Sequence, residues 1–322
     1  MMKKKIKITL CFFMLIMVLL TGCAGNPFVL SDSYDSYYRQ NVKESNSQLK
    51  GMAADLAVLS KKDDEKSTYQ SRDYADLLIN DTTGEVVESY HCFDKVYPAS
   101  ITKVMTALLT LENGNMDDEI TLKHDIVLSE DGAVISTLTK GDRVTVGQVF
   151  HTMLIKSAND CAVLLGEYVA GSEEKFVEMM NERARELGAT HTHFVNPNGL
   201  HDNNHYTTAY DLYLIFKEAV KYDVFVDTVS SKDYTMTYVT PKKTQVSEYM
   251  QSTNHYLLNE YPVPEGVIMY GGKTGTTSVA KSCLILMTKN KEGERFFSVV
   301  LGAKTKEALY ASMSQLLQKT VD

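Results

Sequence analysis

Residues 98–111 read PASITKVMTALLTL, and this stretch constrains the chain more than any other. At helical spacing, Val104, Met105, Ala107, Leu108 and Leu109 cover most of the circumference. A helix that is apolar nearly all round belongs inside a fold, not on its surface. Other elements must therefore wrap around it. Yet its first turn carries Ser100 and Lys103, two polar residues at i and i+3. That spacing puts hydroxyl and amine on one face. A serine hydroxyl is a poor nucleophile until a neighbouring base takes its proton. A lysine can be that base if its pKa falls, and both burial and the positive end of a helix dipole lower it. Taken alone, S-x-x-K is a pattern that chance supplies often.

The flanking sequence predicts what surrounds the helix. Two apolar-rich runs, 74–80 and 85–90, bracket Asp81-Thr82-Thr83-Gly84 and read as a β-hairpin. Thr145-Val146-Gly147-Gln148 has the form of a capping box, with Val144 and Val149 as its hydrophobic staple. A helix follows toward Lys156, and a second runs from Ser157-Ala158-Asn159 to near Gly171. A third spans 173–187, with Phe176, Met180, Ala184 and Leu187 on one face and Gly188 ending it. The pair Glu173 and Glu174 suits the positive end of that helix and needs no catalytic reading. Residues 283–288 and 296–301 flank a polar turn at Gly293 and read as a second hairpin. A last helix, 306–318, carries Leu309, Met313, Leu316 and Leu317 on one stripe. Strands at both ends with helices between predict an α+β domain with one sheet assembled from both ends of the domain.

Two further motifs join the first. Ser157-Ala158-Asn159 lies at a break between helices, where side chains can face a cleft. Lys273-Thr274-Gly275 follows Gly271-Gly272 and leads into the last hairpin. A glycine there lets a substrate backbone approach a strand closely. The ordered trio S-x-x-K, S-x-N, K-T-G is the signature of penicillin-binding proteins and class A β-lactamases, and it is far more specific than any one part. Over roughly residues 75–318 the chain resembles the low-molecular-mass penicillin-binding proteins, the serine D-Ala-D-Ala carboxypeptidases. The stretches PASITKVMTALLTLE, SANDCAVLLGEYVAGSEEKFVEMMNERARELGATHTHFVNPNGL, HYTTAYDL and GGKTGTT carry the likeness.

That resemblance implies a β-lactamase/penicillin-binding-protein-like domain: an antiparallel sheet with a mostly helical subdomain. It also implies roles. Ser100 would form the acyl-enzyme, Lys103 would be its base, and Ser157 and Lys273 would relay a proton to the leaving nitrogen. Asn159 would hydrogen-bond the substrate peptide. Lys273 and Thr274 would hold the terminal carboxylate, which needs a cation and donors. Gly275 would admit the substrate backbone, and the N–H groups of Ser100 and Thr276 would form the oxyanion hole. The implied partners are peptidoglycan stem peptides ending in D-Ala-D-Ala, with β-lactams as covalent inhibitors and no cofactor. The chain departs from the family in two places. Lys304 stands where an Arg often helps to bind carboxylate, which keeps the charge but loses the bidentate fork. Lys281 follows Ala280 where the family usually has Gly.

The N-terminus points to export. Lys3, Lys4, Lys5 and Lys7 precede an apolar run, Ile8–Leu20. This is a signal peptide, too short for a membrane span of about 20 residues. Leu20-Thr21-Gly22-Cys23 resembles a lipobox, so residues 1–22 would be removed and Cys23 would carry a lipid that anchors the protein outside the cytoplasm. Residues 23–70 read as a polar, mostly disordered tether, with a possible local helix at 52–59. As a flexible coil, its roughly 45 residues span about 35–40 Å. The catalytic domain is expected over 71–322, with the lipid replacing the C-terminal anchor of many family members.

Composition excludes other classes. A net charge of −8 argues against nucleic acid as a partner. Beyond Cys11 and Cys23, the cysteines Cys92, Cys161 and Cys283 are odd in number and widely spaced. They read as buried thiols, although one disulfide stays open. His191, His193, His201 and His205 cluster in sequence but match no compact zinc spacing, and the serine trio needs no metal. Asn196-Pro197-Asn198-Gly199 is a turn by composition that can border the cleft.

Three alternatives share the motifs. A class A-like β-lactamase would need a Glu in an E-x-x-x-N context between the second and third motifs; Glu260 and Glu265 read as loop residues instead. A D,D-endopeptidase would cut an alike bond in cross-links. A sensing lipoprotein would bind without turnover.

Overall fold

The computed structural model describes residues 56–59, 64, 75–128, 130 and 132–322. The signal segment, Cys23 and most of the tether lie outside the described residues. The first hairpin forms as expected from β1 (Ala75–Asn80) and β2 (Glu85–Tyr90). Its turn closes on the Asn80 side chain, which accepts from the N–H groups of Thr82 and Thr83 at 3.0 and 3.1 Å. Next come α1 (Lys103–Asn113), β3 (Glu119–Thr121), β4 (Arg143–Thr145), α2 (Val146–Ile155), α3 (Asn159–Ala170) and α4 (Glu173–Glu186). After these follow α5 (Ala209–Ala219), α6 (Asp223–Val229), β5 (Asp233–Val239) and β6 (Gln245–Gln251). The chain closes with β7 (Ile268–Thr277), β8 (Lys281–Lys289), β9 (Arg295–Ala303) and α7 (Lys306–Gln318).

The main sheet has the order β2-β1-β9-β8-β7, with every pairing antiparallel. Both ends of the domain thus build one sheet, as the sequence predicts. Its two faces are both covered. On β8, Cys283, Ile285 and Met287 join the core that encloses α1, while Leu284 and Leu286 face the other way. That second face meets Leu309, Met313, Leu316 and Leu317 of α7. Burying each such side chain stabilises by about 1.5–3 kcal/mol. Two-sided burial explains why β8 reads as a continuous apolar run and not as an alternation. Asp81, at the β1–β2 turn, is buried and paired with Lys217 of α5 at 2.6 Å. The Arg295 guanidinium of β9 also donates to it, Nε at 2.8 Å, which locks the hairpin to the sheet.

Every residue of α1 from Lys103 to Thr110 is buried. The helix sits among α2–α5 and the sheet, as its all-round apolar surface demands.

Four features depart from the expectations. A second sheet, β3-β4-β5-β6, was not anticipated. Its strands β3 and β6 are largely exposed, so no apolar alternation marks them. The Thr145 hydroxyl caps α2 by accepting from Gln148 N–H at 3.3 Å. Gln148 does not return the bond, because its side chain accepts from Thr237 N–H on β5 at 2.8 Å. Only half of the capping box forms, and the other half ties α2 to the second sheet. Residues 56–59 are not helical. Instead Ala57 is buried: its N–H donates to Tyr213 Oη at 3.2 Å and its carbonyl accepts from Tyr210 Oη at 2.7 Å. Asp64 accepts from Cys92 N–H at 2.9 Å. The packed domain therefore reaches further toward the N-terminus than residue 71, and Ala53–Asp322 forms one compact unit.

Truncation tests this boundary. A chain shortened to begin at Arg72 should be less stable than one beginning at Ala53 by about 1–3 kcal/mol, from the lost hydrogen bonds and burial. Equal denaturation midpoints for the two would show that the 56–64 segment contributes nothing to folding.

Candidate active site

Ala99–Thr102 forms a 3-10 turn that feeds into α1, so Ser100 stands at the head of the buried helix. Ala99 has φ +48°, a left-handed conformation that costs a non-glycine residue about 1–3 kcal/mol and recurs at functional sites. Strand β7 runs beside this turn. A Cβ on Gly275 would lie 2.9 Å from the Pro98 carbonyl and 3.0 Å from the Ser100 nitrogen. Glycine at 275 is what lets the third motif meet the first.

Lys103 is fully buried. Its Nζ lies 2.8 Å from Ser100 Oγ, 2.9 Å from Asn159 Oδ1 and 2.6 Å from the Asn198 carbonyl. Burial, and then the neighbouring charge of Lys273, hold this amine well below the usual lysine range. As an ammonium, Lys103 can donate to all three partners; once neutral, it keeps two N–H groups and gains a lone pair. Its two N–H groups serve the two pure acceptors, Asn159 Oδ1 and Asn198 O, and its lone pair is left for the Ser100 hydroxyl proton.

Lys273 is buried too, and its Nζ donates to Ser157 Oγ and to the Thr274 carbonyl, both at 2.9 Å. Burial pushes its pKa down to about 7. Ser157, between α2 and α3, is held at φ +64°, the second strained residue of the site. Asn159 opens α3, and both its backbone N–H and its Nδ2 donate to the Val134 carbonyl, at 2.8 and 2.9 Å. Thr274 Oγ1 shares a 2.5 Å hydrogen bond with Thr253 Oγ1.

Ser100, Ser157, Asn159, Thr274, Gly275 and Thr276 line a cleft of about 460 Å³, with Lys103 and Lys273 buried beneath it. All three motifs meet there. Lys304 does not line it. The chain turns at Thr305, the N-cap of α7, which leaves Lys304 exposed and puts Lys306 on the cleft wall instead.

Sequence reasoning missed other wall residues. Lys156, next to the second motif, lines the cleft and pairs with Glu248, which also accepts from Thr137 N–H and Oγ1 at 3.0 and 2.8 Å. Thr253 carried no recognisable pattern. The Asn198 carbonyl could not be singled out from sequence, although the turn that bears it was. Among the described lining residues the one carboxylate is Glu130, exposed at the rim. Glu260 pairs with His255 at 2.5 Å.

The four clustered histidines go to separate partners. His193 Nδ1 meets the Asn204 carbonyl at 2.7 Å, His201 packs edge-on against Tyr97, the His191 N–H donates to Asp211, and His205 is buried behind Thr102. Cys92, Cys161 and Cys283 are all buried.

A buried lysine pair beside two serines, under a cleft bordered by a glycine-bearing strand, is an arrangement that can serve nucleophilic serine chemistry. The chain belongs to the peptidase S11 family described as D-alanyl-D-alanine carboxypeptidase, whose profile matches residues 59–305. It is 35% identical to the D-alanyl-D-alanine carboxypeptidase DacF of Bacillus subtilis, over 75% of this chain and 60% of that protein. It is 30% identical to DacC of Escherichia coli, over 75% and 59%. The chain thus spans about three-fifths of the curated relatives it first matches. Among solved structures it resembles the Streptomyces K15 DD-transpeptidase, with TM-score 0.71 and 25% identity, covering 79% of this chain and 98% of that one. Penicillin-binding protein D2 of Listeria monocytogenes, in a cefotaxime-bound form, matches with TM-score 0.64 and 28% identity over the same shares. The fold is that of the penicillin-binding DD-peptidases.

The two lysines predict a pH signature. Lys103 must be neutral to accept a proton, while Lys273 is cationic only below about 7 in the free protein. The second-order rate of acylation of the free protein should therefore fall as pH rises through roughly 7, on a limb set by the coupled lysine pair. Lys103→Arg keeps a cation that cannot deprotonate and should lower acylation by roughly 10²–10⁴-fold. A flat profile from pH 6 to 9, or an active Lys103→Arg, would contradict these roles.

Proposed function

We propose that the protein is a serine D-Ala-D-Ala carboxypeptidase that trims peptidoglycan stem peptides outside the cytoplasm. The observation that carries this reading is the Lys103 amine, buried, neutral-leaning and 2.8 Å from Ser100 Oγ. Ser100 Oγ attacks the carbonyl of the penultimate D-Ala and gives its proton to Lys103. The resulting oxyanion takes hydrogen bonds from the N–H groups of Ser100 and Thr276. As the C–N bond breaks, the leaving D-Ala nitrogen gains a proton through Ser157 and Lys273. Water then hydrolyses the ester and restores Ser100.

Lys273 and Thr274 hold the terminal carboxylate, and Asn159 orients the peptide. The family membership and the D-alanyl-D-alanine carboxypeptidase names of the relatives support this substrate. A neighbour seen with cefotaxime supports β-lactams as covalent inhibitors. No carboxylate among the described lining residues lies deep in the cleft to activate water as in class A β-lactamases, so the β-lactam adduct should leave slowly. The K15 relative is described both as a D-alanyl-D-alanine carboxypeptidase and as a DD-transpeptidase, which favours an amine as a second acceptor for the same acyl-enzyme. Cleavage before Cys23 and its lipidation would tether the enzyme to the membrane within reach of the wall.

The test uses the full chain and a peptide ending in L-Lys-D-Ala-D-Ala. The parent should release D-alanine, and Ser100→Ala should release none and resist penicillin labelling. Labelling without release would favour a sensor or a cross-link endopeptidase. Rapid penicillin turnover would favour a β-lactamase.

A further inference from the structure

We infer that His205 and Thr102 are positioning residues that aim the Ser100 N–H at the reacting carbonyl oxygen, acting through the Ala99–Ser100 peptide plane. The inference rests on the proposed use of that N–H in the oxyanion hole. Neither residue lines the cleft. Both are buried, His205 at 2% exposure and Thr102 at 1%.

The hydrogen bonds run in one direction only. Val195 N–H donates to His205 Nδ1 at 3.1 Å, so Nδ1 is the acceptor. A neutral imidazole then carries its proton on Nε2. Nε2 lies 2.8 Å from Thr102 Oγ1 and donates to it. With that oxygen already accepting, the Thr102 hydroxyl proton goes to the Ala99 carbonyl, 2.8 Å away. Burial pushes the imidazole down to about 3, so the neutral form persists across the working range.

A trans peptide is planar, with C=O and N–H on opposite sides. Pinning the Ala99 carbonyl to the Thr102 side therefore turns the Ser100 N–H the other way. That N–H is in the first turn of the helix and has no intrahelical acceptor. A second contact fixes the same plane. A Cβ on Gly199 would lie 1.9 Å from Ala99 O and 2.9 Å from Thr102 Oγ1, so the 196–199 turn closes over that carbonyl. The left-handed φ of Ala99 is a conformation an alanine does not hold unaided, and these contacts supply the hold.

The experiment measures covalent labelling of the full chain by a fluorescent penicillin, separating the limiting acylation rate from the half-saturating concentration. Thr102→Val, of the same shape but without the hydroxyl, and His205→Leu should lower the limiting rate by roughly 10²-fold, the scale of one lost oxyanion donor. Half-saturation should change little. Thr102→Ser and His205→Gln, which restore a hydroxyl and a donor–acceptor pair, should recover most of the rate. Thermal melting identifies any variant that fails to fold; Thr102→Val and Thr102→Ser then decide the matter between them. A folded Thr102→Val that acylates at the parental rate overturns the relay while leaving Ser100 as nucleophile. An equal loss in Thr102→Val and Thr102→Ser overturns it as well. A parent that is not labelled at all, or a Ser100→Ala that is, overturns the acyl-enzyme reading itself and the relay with it.

Discussion

A lysine amine withdrawn from water, with a serine hydroxyl as one of its three partners, is the condition on which the rest of this domain depends. Moving a charged ammonium into an apolar interior is costly, and a group so placed neutralises by shifting its pKa. Here the cost is met in two ways at once. The helix that carries Lys103 is enclosed on all sides, and the two acceptors beside the amine are supplied by α3 and by the 196–199 turn. Those acceptors satisfy both protons of the neutral form and leave its lone pair toward Ser100. Lys273 adds a second buried amine, whose charge further disfavours a proton on Lys103. The two cannot be treated as separate titrations.

The same demand accounts for the layout around the site. The sheet brings β7 against the Ala99–Thr102 turn, and only a glycine at 275 permits that approach. The two non-glycine residues of the site in left-handed conformations, Ala99 and Ser157, flank the two motif serines or are one of them. Such strain persists only where the surroundings over-determine it. Around Ala99 the surroundings are Thr102, Gly199 and, behind them, His205.

Much of this was legible in the sequence. The β1–β2 hairpin, α1 to α4, the β8–β9 hairpin and α7 follow from periodicity, turn residues and caps, because each is built from local contacts. The motif trio foretold which side chains would meet. What escaped was decided by tertiary partners. Strand β6 is mostly exposed and leaves no apolar alternation. Gln148 has the right spacing for a reciprocal cap but bonds to β5 instead. Lys304 has the right charge, yet the turn into α7 gives its expected place on the cleft to Lys306. The Asn198 carbonyl is a backbone atom, and a backbone acceptor carries no mark in the sequence. His205 is set aside with its neighbours as no metal ligand, and nothing in the sequence marks its partners, a threonine and a backbone N–H.

The most direct test of the account is the titration of Lys103 itself, followed by NMR in full-length protein with isotopically labelled lysine side chains and assigned by comparison with Lys103→Arg. The account predicts a Lys103 signal that titrates well below the exposed lysines, so that the amine is neutral when Ser100 reacts. A Lys103 signal that titrates together with the surface lysines, near the ordinary value of about 10.5, would contradict it.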